Sequence, residues 1–268
     1  MKKFTSILAA AMCIVLAVSC GQKKSAEAQE AAPEKTQAEI YAEQEIMVHL
    51  DSLASELVQI NPIGIVGSVK DGKVVLNDKE KQVKPDYLTD PAVVKDMQTL
   101  SQKYRAIAVM CIDKEIAALY DMPTDSYTAA LVKLYADVND PALKNFSEGV
   151  EMKENLKAFY EESKEADRLP LFWEAVSAAL VEQMYIAGKN SDKFIVAFDD
   201  QSATDFTWYV TLLTLGVEDL AKINPEYAAL NETLKPLTKI DAINVEMFKK
   251  QLDEMNEDLA VSHDSLLK

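Results

Sequence analysis

Two segments of the chain space their apolar residues three and four apart. Val245, Phe248, Leu252, Met255 and Leu259 form one stripe, and Ile46, Leu50, Leu53, Leu57 and Ile60 form the other. This spacing lines each set along one face of a helix, which predicts a long helix over about 241–266 and another near the start of the folded chain. Polar residues occupy the opposite faces, so both belong on the outside of a bundle. Segments 104–120, 172–187 and 205–217 are instead apolar nearly all round, the pattern of a buried helix. Shorter helices are expected near 124–136 and 151–166. None of these runs reaches the ~18–20 apolar residues that a bilayer span requires.

Start signals agree with the periodicity. Asp90-Pro91, Asp140-Pro141 and Asn224-Pro225 each put a capping side chain before a proline, which is tolerated at the first helical position because its missing N–H would be unpaired there anyway. Thr36 with Glu39, and Ser202 with Asp205, have the spacing of capping boxes or close relatives. The expected fold is all-α, a bundle of about seven to eight helices forming a single domain over 36–268.

Residues 61–88 interrupt this pattern. They hold Gly64, Gly67 and Gly72, and Asp71-Gly72 between "IVGSVK" and "KVVL" is a two-residue hairpin signal. A short β-hairpin or irregular insertion is expected, leaning on the bundle because an isolated hairpin is marginal. Residues 216–230 look like a junction between tetratricopeptide helices, but no second copy stands about 34 residues away, so no repeat is assigned.

The N-terminus begins Met1-Lys2-Lys3, followed by sixteen uncharged residues ending at Ser19. A positive start, a short apolar stretch and small residues at its end describe a secretory signal. Ala17-Val18-Ser19-Cys20 resembles the lipobox of bacterial lipoproteins, with Leu16 one place earlier than the family's favoured large apolar residue. The resemblance covers only the first twenty residues. It implies cleavage after residue 19, acyl chains including palmitate on Cys20, and a place in the cell envelope, on the outer membrane facing the periplasm. Residues 20–35, with no aliphatic side chain larger than alanine, are expected to be a flexible tether.

Loss of residues 1–19 removes two of the 28 basic residues and none of the 44 acidic ones, taking the net charge from −16 to −18. That balance argues against nucleic-acid binding, which rests on cations neutralising phosphates. Once Cys13 is cleaved and Cys20 acylated, only Cys111 remains of the three cysteines, so no internal disulfide is expected; its place in "AIAVMCI" marks it as core. His49 and His263 are the only histidines, a poor supply for zinc or for Ser-His-Asp chemistry. The densest carboxylates, Asp199, Asp200 and Asp205, read as helix capping rather than a calcium site. Trp173, Trp208, Tyr209 and Tyr185 are read as core, with a ligand pocket as the alternative. The only arginines, Arg105 and Arg168, are expected to pair with acids. No catalytic residue, metal ligand or cofactor is assigned, and the oligomeric state is left open.

These features suggest a non-enzymatic, lipid-anchored domain that binds a protein or small ligand. One alternative is an enzyme or solute-binding protein with its site between the central aromatics and the 61–88 insertion. The other is a structural envelope component that assembles through its amphipathic helices.

Overall fold

A helix that is apolar on every side has to be surrounded, and helix α7 (Leu169–Lys189) is: all of residues 172–188 are buried. The computed structural model describes residues 36–61, 64–143, 146 and 153–268. Among these the regular structure is helical, with twelve α-helices and no strand. The helix α4 (Leu100–Leu119) runs along α7 to make the spine. Around it pack α5 (Asp125–Val138) on α4, and α6 (Lys153–Glu165) and α12 (Asn256–Leu266) on α7. The long helix α9 (Asp200–Ile223) also touches α7 and carries α1 (Gln37–Leu57) on its other side. The helix α10 (Tyr227–Leu234) bridges α9 and α12. No helix among the described residues is long and apolar enough to cross a membrane.

The all-α expectation holds, but the helix count is higher than seven to eight. One reason is the segment 241–266. Its stripe is continuous and buries Phe248, Leu252, Met255 and Leu259, yet the helix breaks at Met255 into α11 (Val245–Glu254) and α12. The Asn256 side chain, just past the break, donates to the Gly188 carbonyl at the end of α7.

The other reason is 61–88, where no β-hairpin forms. The described part of this stretch holds two short helices, α2 (Ile65–Lys70) and α3 (Asp78–Gln82). Gly72 does take the positive φ that the Asp-Gly pair foretold, +70°, but it ends a helix rather than turning a hairpin. Its N–H donates to Val69 O at 3.1 Å and that of Lys73 to Ser68 O at 2.9 Å, the paired bonds of a Schellman cap. The start of α2 is fixed from outside: Ile65 N–H donates to Gln183 Oε1 of α7 at 2.9 Å. Both signals exploit the same left-handed glycine, so sequence spacing does not separate them. The remaining short helix, α8 (Ser191–Phe194), follows α7 directly.

Close approach of α9 to α7 depends on Gly216. A Cβ there would lie 2.6–2.8 Å from three ring carbons of Trp173, which is fully buried. Alanine gains about 1 kcal/mol over glycine in helix propensity, against roughly 1–3 kcal/mol for overpacking a filled core. The expected outcome for Gly216→Ala is a net loss on the order of 1 kcal/mol, seen as a melting temperature lower by roughly 2–4 °C. An unchanged or higher melting temperature would show that the indole has room to move.

Candidate functional site

One end of the spine opens into a cleft of about 690 Å3, within the size range of small-molecule sites. The N-terminus of α4 forms one wall and is set by a capping box, in which Thr99 Oγ1 accepts from Gln102 N–H and Gln102 Oε1 accepts from Thr99 N–H, both at 3.1 Å. Gln102 Nε2 also donates to the Lys268 carbonyl at 3.0 Å, closing α4 against the segment after α12. The α7, α10 and α12 helices and the 3-10 turn after α10 (Lys235–Lys239) supply the other sides, with Ala229, Pro236 and Val261 as their apolar part.

The cleft floor is charged. Arg105 of α4 sits with Nε 3.3 Å from Glu174 Oε2 of α7, and both side chains are almost wholly buried. The contact is an ion pair without a hydrogen bond: Arg105 Nε, Glu174 Oε2 and the nearby Ser262 Oγ are all buried without a hydrogen-bond partner among the described residues. Desolvation pushes the Glu174 carboxyl above its ordinary range, with Arg105 and Ser101 opposing the shift. Tyr227 is pushed up to about 12, by burial first and by the Glu174 charge second.

A second polar cluster lies further along the spine. Asp113 of α4 and Glu182 of α7 are fully buried. Asp113 Oδ2 accepts from Thr89 N–H at 2.8 Å. Glu182 Oε2 is 3.3 Å from His263 Nε2, and Thr89 Oγ1 is 3.2 Å from the same nitrogen. The His263 ring stacks on Tyr185, with centroids 4.0 Å apart, and Tyr127 donates its hydroxyl to the Thr89 carbonyl. Burial raises Asp113 to about 7 and Glu182 well above its ordinary value, the neighbouring Asp113 charge adding to the shift. Burial lowers His263. At neutral pH the carboxyl pair therefore retains a proton, and the imidazole is neutral.

The arginines both pair with acids, Arg105 as above and Arg168 with Asp140 at 2.9 Å. Asp199 is the N-cap of α9, in a box with Ser202 rather than the expected Ser202–Asp205 box. Asp200 accepts from Val245 N–H at 2.9 Å and Asp205 from Gln201 Nε2 at 2.8 Å. Among the described residues no group of three or more His, Cys, Asp or Glu could hold a metal ion. Cys111 packs against the core beside Tyr135, its thiol pushed up to about 11 by burial. His49 lies on α1, with Nδ1 2.5 Å from Asp219 Oδ2. Of the four aromatics, Trp173, Tyr185 and Tyr209 are buried as expected, but Trp208 is 51% exposed. Helix α9 is a half-buried helix, not one enclosed on all sides. Cys20 and the tether lie outside the described residues.

No family model, curated protein or solved structure matches this chain. The cleft therefore stands on its own geometry. Glu174, Asp113 and Glu182 were not singled out from sequence, yet a signal existed: each is an acid within a largely apolar helical run, and a carboxyl carried into a core must be paired or protonated.

The acid pair predicts a pH dependence of stability. In the unfolded chain the Asp113 carboxyl ionises near 4, whereas folded it holds its proton to about 7. The proton-bound native form is favoured below the unfolded value, so this contribution is lost as pH rises from 4 to 7, at up to about 1.4 kcal/mol per pH unit for one proton. His263, with a lowered value, works in the opposite sense as pH falls below its unfolded value. Wild type minus Asp113→Asn isolates the carboxyl: the stability difference measured by denaturant titration should shift in favour of the variant between pH 4.5 and 7. A difference independent of pH would refute the shared proton.

Proposed function

We propose that this chain is a lipid-anchored binding protein of the bacterial cell envelope whose helical domain takes a small polar ligand in the α4–α7–α10–α12 cleft. The observation that carries the binding role is the cleft floor, where three buried polar atoms lack hydrogen-bond partners among the described residues. Each such group left unpaired costs roughly 1–3 kcal/mol, so an occupant that satisfies them is stabilised there. A concave site of this volume suits a small molecule better than a flat protein partner. Binding rather than turnover is supported by the position of His263, which faces Glu182 instead of lining the cleft.

The anchor rests on the sequence Ala17-Val18-Ser19-Cys20 after a positive start and an apolar run. Three acyl chains, as in the lipoprotein family, hold far more firmly than one, since each buried CH2 contributes about 0.8 kcal/mol. We place the protein on the outer membrane with its domain in the periplasm, joined to the bilayer by residues 20–35.

A second reading, an enzyme or solute-binding site between the central aromatics and residues 61–88, draws on the edge contact of Tyr87 with Tyr185 at 6.1 Å and on the acid pair nearby. The space there, about 170 Å3 beside Thr89 and His263, is much smaller than the cleft. Assembly through the 241–266 stripe is disfavoured because that stripe is buried within the chain's own core.

Cys20→Ser tests the anchor. The wild-type protein should partition into detergent and carry acyl mass on its N-terminal peptide; the variant should remain in the aqueous phase without it. Identical mass and partitioning for the two proteins would sink the lipoprotein assignment.

A further inference from the structure

The cleft floor carries more information than its volume. From the geometry we infer that the cleft binds a small zwitterion of the α-amino acid class, through a carboxylate against Arg105 and an ammonium against Glu174. This rests on the cleft being the binding site.

The cleft floor has unfilled hydrogen-bonding capacity. Arg105 Nε can only donate, and Glu174 Oε2, when ionised, can only accept. The two atoms are 3.3 Å apart, an ion pair without a hydrogen bond, and neither is hydrogen-bonded to any described residue. A ligand that fills both must present an acceptor and a donor close together. An α-amino acid does so, its ammonium and carboxylate being separated by a single carbon. Ser262 Oγ, buried and likewise unpartnered, can serve either group.

Simpler ions fit less well. A bare anion entering the cleft meets the carboxylates of Glu174 and Glu226 beside Arg105 and Lys268, while Glu232 is held by Lys235. A bare amine leaves the Arg105 donor buried and unpaired, which forfeits the gain that a charge-assisted bond would bring. The Glu226 carboxylate acts on Glu174 from the cleft wall and favours a ligand with an additional positive charge, so a basic amino acid should bind best and an acidic one worst. The apolar wall of Ala229, Pro236 and Val261 accommodates the aliphatic part of a side chain.

Isothermal titration calorimetry on the full chain in detergent, with lysine, leucine, glutamate, butylamine and butyrate as titrants, tests this. The expected order is lysine, then leucine, then glutamate, with butylamine and butyrate at least roughly tenfold weaker than leucine. Glu174→Gln should weaken lysine by roughly tenfold or more. If that variant does not fold by circular dichroism, Glu226→Gln and Ser262→Ala carry the test, each expected to weaken lysine several-fold. If butylamine or butyrate binds as well as leucine and the cleft substitutions still weaken it, the cleft remains the site but the zwitterion assignment falls. Binding by none of the five compounds at concentrations up to about 10 mM, in the weakest range worth calling binding, overturns both.

Discussion

Enclosing α7 is the constraint to which the other packing answers. Its side chains gain roughly 1.5–3 kcal/mol apiece for each large apolar group withdrawn from water, but the same enclosure takes Glu174, Glu182 and Gln183 with it. A carboxylate in such surroundings is tolerated only when paired or protonated. Each of these three residues has its neighbour: Arg105 opposite Glu174, Asp113 and His263 around Glu182, and the Ile65 N–H on Gln183. The spine is hydrophobic in composition, and its polar exceptions locate what is laid against it.

The two polar centres meet at α12. Ser262 borders the cleft while the next residue, His263, caps the acid pair and stacks on Tyr185. Successive helical residues point about 100° apart, so one short helix turns one shoulder to each centre. The break at Met255 gives α12 an axis separate from α11, and the Asn256 bond to Gly188 ties that break to the end of α7. The position of α12 is thus set by polar contacts at both its ends and its middle, in addition to buried Leu259 and Leu266.

Much of this was legible in the chain. Period and composition located α1, α4, α5, α6, α7 and α9 closely, because apolar patterning is decided by which face meets the core. Both arginine pairings and the capping role of Asp199 followed from local chemistry and charge balance. The failures have a common origin in contacts distant along the chain. The helix that Gly72 ends is held at its start by Gln183, more than a hundred residues away. The polar and aromatic mixture of α9 concealed that Trp208 lies on its outer side, and the 241–266 periodicity passes unbroken through a bend. The cleft was not legible as a site because its floor joins residues from α4, α7 and α12, none of which is unusual in its own segment. What could have been noticed is that acids stand within largely apolar runs.

The two tryptophans are placed in opposite surroundings. Trp173 is sealed beneath Gly216 and adjoins Glu174 in the chain, whereas half of Trp208 faces solvent. The molecule consequently carries two native fluorophores that a collisional quencher such as iodide can tell apart. Quenching the outer indole leaves an emission that arises next to the cleft floor, giving an optical signal for events there without any attached dye.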